Sequence, residues 1–141
     1  MKEFTCHTIS PGLVEGEVLL STDPILFYQT DPKTGILTEP GHCLEGQCVR
    51  DKIVVFPGGK GSSVVQADGM YKLAMAGTAP KGFVVELLDT VLVSSAIIME
   101  MPMVDGVEPA FYSAVKSGDW IRLDTERERI LLLEPGERSP D

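Results

Sequence analysis

Cations, histidine and long apolar runs are all scarce in this chain of 141 residues. Twelve Lys and Arg stand against 21 Asp and Glu, a formal net charge of −9. Nucleic acid and anionic lipid are held by clustered cations, so the shortage argues against both as partners. An anionic small molecule must be met by local donors or by another chain. No stretch supplies the ~20 uninterrupted apolar residues of a membrane span. The richest, Leu87 to Val104, is broken by Asp89, Glu100 and Pro102. The opening Met1-Lys2-Glu3-Phe4 leads into no signal-peptide core, so a soluble, cytoplasmic protein is expected. Cysteine is sparse as well: Cys6, Cys43 and Cys48 cannot all pair, which points to reduced thiols. An iron–sulfur cluster takes three or four thiolates. Here no C-x-x-C follows Cys43 and Cys48, and Cys6 is remote in sequence. His42 and His7 could complete a zinc site, yet free cysteine is commonly a small buried hydrophobe; no metal is assigned to this chain.

What the chain has is a composition suited to one core: 43% apolar and 23% charged residues. Strands are expected at Val14–Leu20, Ile53–Phe56 and Phe83–Leu87, with a hairpin formed by Trp120–Leu123 and Arg129–Leu133. Ser63 followed by Gln66 has the form of a capping box. Val64, Ala67, Tyr71 and Ala74 then recur near helical spacing, and Gly77 supplies a stop. A shorter helix is expected from about Asp89 to Ser95, and Phe111 and Trp120 are expected in the core. These elements predict an α+β domain over residues 1–134, with a flexible tail at 135–141. The connection from Ser21 to Arg50 is long and polar, as functional loops often are.

The segment that carries chemistry is Ile53-Val54-Val55-Phe56-Pro57-Gly58-Gly59-Lys60-Gly61-Ser62-Ser63. A buried strand runs into a glycine-rich turn and then into hydroxyls at a helix start. Glycines let backbone approach a ligand, successive amides form an anion-binding nest, and a helix N-terminus adds free N–H donors. Lys60 adds a full charge. One cap needs one hydroxyl, whereas two are present. The turn is not a nucleotide P-loop, since that pattern would need glycine at Val54 and a hydroxyl at Gly61. A dinucleotide fingerprint fails on spacing, and no second and third β-α units are legible.

Gly59-Lys60-Gly61-Ser62-Ser63 resembles the Gly-x-Gly-Ser-Ser loop of the aconitase swivelling domain, and the chain as a whole resembles the small subunit of aconitase X. The likeness runs through Glu15-Gly16-Glu17-Val18-Leu19, Asp31-Pro32-Lys33-Thr34-Gly35-Ile36, His42-Cys43-Leu44-Glu45-Gly46, Gly77-Thr78-Ala79-Pro80 and Ser117-Gly118-Asp119-Trp120. The resemblance implies a swivelling β/β/α barrel or sandwich and a two-chain dehydratase. It implies that Ser62 is the general base, with Gly59, Lys60, Gly61 and Ser63 supporting the loop or the substrate. It also implies a larger partner subunit, forming a heterodimer, that owns a [4Fe-4S] cluster. Ordinary aconitases follow the double serine with Arg-Glu, and Val64 and Val65 stand there instead. Any arginine clamp on a substrate carboxylate is therefore expected from the partner. In archaeal relatives the substrate is (R)-5-phosphomevalonate, dehydrated to trans-anhydromevalonate 5-phosphate in isoprenoid synthesis. In some bacterial ones it is cis-3-hydroxy-L-proline. Asp31 and His42 are weaker candidates, with turn formation and a structural role as their plainer readings. A phosphohistidine swivelling domain would need a histidine at the turn, where the serines stand. A non-catalytic module that binds an anion or a partner is the remaining alternative.

Overall fold

Ile53-Val54-Val55-Phe56 and Gly82-Phe83-Val84-Val85 offer no charged or polar side chain to solvent, so each strand must be covered on both faces. A computed structural model, describing residues 1–139, provides that cover. Its elements are β1 (Lys2–Thr5), β2 (His7–Ser10), β3 (Leu13–Leu20), β4 (Ile53–Phe56), α1 (Ser63–Ala76), β5 (Gly82–Val85), α2 (Thr90–Ile98), β6 (Met103–Asp105), α3 (Pro109–Ala114), β7 (Trp120–Asp124) and β8 (Arg129–Leu133). The strand order is β1-β8-β7-β3-β4-β5-β6-β2. Strands β3 to β6 are parallel neighbours, and the remaining pairs are antiparallel.

Two strands change partners along their length. Leu13–Glu17 of β3 pairs with β7, and Val18–Leu20 pairs with β4. β1 pairs with β8, and after Cys6 the same extended stretch continues as β2 and pairs with β6. Residues 2–10 thus join the two outer edges of the sheet, giving the β/β/α layering expected from sequence. Alternate side chains then serve two cores. Ile53, Val55 and Val84 point to an inner one with Val18, Ile121, Leu123, Ile130 and Phe111 of α3. Val54, Phe56, Phe83 and Val85 point the other way, towards Met70 and Leu73 of α1, Leu92 and Ala96 of α2, and Ile25 and Phe27. Phe27, Phe56 and Phe83 form a triangle with centroids 5.4–5.7 Å apart, a geometry worth ~0.5–1.5 kcal/mol per pair beyond area.

Three expectations need correction. The parallel series β4-α1-β5-α2-β6 is a pair of successive β-α units, which the sequence reading had not found. The buried face of α1 is Gln66, Gly69, Met70 and Leu73, whereas Val64 and Tyr71 are exposed. Trp120 is half-buried at the barrel rim, with Nε1 donating to Glu15 at 3.0 Å; only Phe111 is in the core. Beyond β8, Pro135–Glu137 forms a 3-10 turn closed by reciprocal contacts between Glu134 and Glu137. Ser139 donates its N–H and hydroxyl to Glu15. No described helix is long and apolar enough to cross a membrane.

Candidate functional site

In a parallel series the loops leaving the carboxyl ends of neighbouring strands converge, and ligands bind there. Ser21–Asp23 leaves β3, Pro57–Ser62 leaves β4, and Glu86–Asp89 leaves β5. Between the last two lies a pocket of about 380 Å³, with Gly59–Ser63 and Gln66 on one side and Asp89–Val91 on the other. The N-termini of α1 and α2 both face it. Gly61 turns the chain with φ 85°, and Leu26 lies 3.0 Å from where a Cβ would stand. At Gly59 a Cβ would come 2.7 Å from Gln66 Nε2 and 2.8 Å from Asp89 Oδ2. A side chain there would fill the floor of the pocket.

The helix cap is Ser62, one residue earlier than the sequence pattern predicts. Its extended backbone (φ −75°, ψ 153°) precedes the first helical residue, Ser63, and its Oγ accepts from Val65 N at 3.4 Å. That contact is long enough to leave the hydroxyl available, and Ser62 is exposed to the pocket. Ser63 is exposed as well. Gln66 does not close a capping box, because its side chain turns inward: Oε1 accepts from Phe27 N at 2.7 Å and Nε2 donates to Ile25 O at 2.9 Å. Lys60 is not a free cation, since its Nζ donates to Glu39 at 2.5 Å across a part-exposed pair. Asp89 caps α2 through Leu92 N at 2.9 Å, with its second oxygen towards Gly59.

Neither of the two weaker candidates lines the pocket. Asp31 forms a turn, its carboxylate accepting from Lys33 N at 2.9 Å and its carbonyl from Gly35 N at 2.7 Å. The adjacent Pro32 O accepts from Thr78, beyond the far end of α1. A helix of that length puts it about 20 Å from the serine loop. His42 is buried beside the loop: Leu44 N donates to its Nδ1 at 3.0 Å, so Nε2 carries the proton and donates to Pro24 O at 2.9 Å. Both of its ring nitrogens are engaged by backbone.

His42 belongs, with Asp23 and Cys43, to a group whose ligand atoms lie within 4.8 Å of one another. Asp23 accepts from Cys43 N at 2.9 Å, which holds its carboxyl below the ordinary range. Burial pushes the Cys43 thiol up, but hydrogen bonds from Ser21 and Thr22 outweigh it and bring it below 9.0. A metal here would have to displace a backbone partner of His42. The three thiols are scattered: Cys6 is in the inner core, pushed up to about 11 by burial and Glu128; Cys43 is exposed; Cys48 is half-buried beside Thr34. Such a donor set does not fit an iron–sulfur cluster on this chain. Sequence reasoning missed Gln66, Asp89 and Leu26. Asp89 had a signal, an acidic cap between Phe83-Val84-Val85 and an apolar helix, but the inward turn of Gln66 leaves no trace in a pattern of apolar spacing.

The description of the aconitase X swivel domain matches residues 3–132. The chain is 38% identical over 133 residues to the phosphomevalonate dehydratase small subunit of Methanococcoides burtonii, spanning 94% of this chain and 96% of that one. Against the same-named protein of Methanosarcina acetivorans it is 41% identical over 130 residues, 92% and 90% of the two chains. A crystal structure of Thermococcus kodakaraensis aconitase X in its holo-form contains a chain that superposes with a TM-score of 0.86 at 37% identity, over 95% of this chain and all of that one.

Proposed function

Since the chain belongs to the aconitase X swivel-domain family, we propose that it is the small subunit of a hydro-lyase that dehydrates 5-phosphomevalonate, with Ser62 as the general base. The observation that carries the site assignment is the position of Ser62. It stands at the mouth of the pocket on a glycine turn, where two helix N-termini meet.

A serine removes a carbon-bound proton only when it is held as, or near, its alkoxide, which becomes the hydroxyl on taking the proton, so its surroundings must stabilise that anion. Val65 N, in the first turn of α1, donates to the Ser62 Oγ at 3.4 Å, and the partial positive charge of the helix start favours an anion there. Ser62 takes the proton from the carbon beside the substrate carboxylate, and the hydroxyl on the neighbouring carbon departs. The iron–sulfur cluster belongs, on this reading, to the large subunit, where it would supply Lewis acidity for that departure. The large subunit also brings the cations that grip carboxylate and phosphate, because Lys60 is spent on Glu39 and the chain carries −9 overall. Its seat is the groove between α1 and α2, lined by Val64, Ala67, Val91 and Ile98. This groove shares Ser63, Thr90 and Val91 with the serine pocket, so a chain that closes one covers the other.

The test is turnover of 5-phosphomevalonate by this chain assembled anaerobically with its large subunit. Ser62→Ala should lower kcat by ~10²-fold or more with the complex intact; near-normal turnover would remove Ser62 as the base. Turnover of cis-3-hydroxy-L-proline in place of the phosphate ester would overturn the substrate assignment.

A further inference from the structure

We propose that Gln66 is a positioning residue for Ser62, an inference that rests on Ser62 being the base. Gln66 is only 2% exposed, yet its amide makes no contact within its own helix. Instead it reads the backbone of another segment as a paired strand would, accepting from Phe27 N and donating to Ile25 O. That segment in turn holds both ends of the glycine turn. Ile25 N donates to Gly58 O at 3.0 Å, and the Leu26 side chain lies against the open face of Gly61. The amide nitrogen of Gln66 also borders Gly59 directly, and its backbone N–H donates to Ser62 O at 3.0 Å.

Ser62 has little of its own to fix it. Its side chain has one long contact, to Val65 N, and the residue before it is a glycine at positive φ. The direction of its hydroxyl therefore depends on where residues 58–61 sit, and the buried amide of Gln66 holds the segment against which they pack. A buried polar side chain that satisfies two backbone groups of a remote segment holds a separation and a register that an apolar residue leaves free. The role differs from a general structural one in that its effect should pass through the serine hydroxyl alone.

A double-mutant cycle on the assembled holoenzyme tests this. Gln66→Leu alone should lower kcat by about tenfold or more with KM changed less than about threefold, because orientation of the base matters to the reaction and little to substrate binding. On the Ser62→Ala background the same substitution should cost nothing further. If the two losses multiply, Gln66 acts independently of Ser62 and the proposal is overturned. Full kcat in Gln66→Leu overturns it too. A normal rate in Ser62→Ala alone would instead remove the base assignment on which it rests. If Gln66→Leu does not fold, Gln66→Glu carries the same cycle. It keeps the acceptor for Phe27 N and loses the donor to Ile25 O, so it is expected to show the same non-multiplying loss, and multiplying losses would count against the proposal in the same way.

Discussion

Glu15 is held by donors from three directions: Trp120 Nε1 at 3.0 Å, the Arg122 guanidinium at 3.2–3.3 Å, and Ser139 through both N–H and hydroxyl at 2.7 and 2.6 Å. Burial alone would raise this carboxyl, but the hydrogen bonds from Ser139, Trp120 and Arg122 outweigh it and bring it to about 2. Unfolded, it titrates near 4.5. The folded state therefore binds fewer protons at this group, and the stability it gives is complete above pH 4.5 and lost as pH falls from there towards 2. Thermal melts across that window should show a falling Tm. Glu15→Gln should flatten the fall and lower Tm near neutrality, since its amide cannot pair with Arg122; an unchanged acid profile would contradict this. Cys6 and Tyr112 shift upward for the opposite reason. Burial holds their neutral forms, pushing them up to about 11 and about 12.

At the scale of elements, α1 is where the sequence was read best and worst. Its start near Ser63 and its left-handed glycine stop at Gly77 (φ 76°) were legible from capping chemistry. Its buried face was not. Gln66 and Gly69 face inward because a backbone segment, residues 25–28, packs there in place of apolar side chains, and backbone wants an amide partner and empty space. A periodicity of apolar residues cannot register either need. In a helix interior Gly→Ala ordinarily gains ~1 kcal/mol. At Gly69 the new Cβ would run into the backbone of Tyr28. Gly69→Ala should therefore destabilise by about 1–3 kcal/mol, read as a lower urea midpoint at unchanged slope; a stabilised variant would show that the contact is slack. The strands divide in the same way. β4, β5, β7 and β8 announce themselves through apolar runs or alternation. β1, β2 and β6 are three or four residues long, with an irregularity between Thr8 and Ser10, and give too little pattern to read. The strand at Phe83 and the helix after Asp89 were both read, but without β6 nothing showed that they continue a parallel series. That is why the glycine-serine loop could be found from sequence while the placing of Asp89–Val91 as the opposite wall of its pocket could not.

For the molecule as a whole, the distribution of apolar surface is more telling than its amount. The helix α2 has no charged residue, and its outer side leaves Ile97 and Ile98 exposed, the latter at 79%. Val64 on α1 is equally bare. Exposed isoleucines on an uncharged helix ordinarily mark a contact surface, and on our reading the large subunit is the cover. Ile98→Asp should weaken that association by tenfold or more in a pull-down or calorimetric titration while leaving the Tm of the isolated chain within a few degrees. Undiminished association would move the interface to another face. A different consequence follows from residues 2–10, the stretch that pairs with β8 on one side and with β6 on the other. A ribosome makes this strand long before its β8 partner. Until β8 has cleared the exit tunnel, residues 2–10 lack one of their two partners and the barrel cannot shut. Closure of the barrel is thus a pairing between segments far apart in sequence, of the kind that is slow to form.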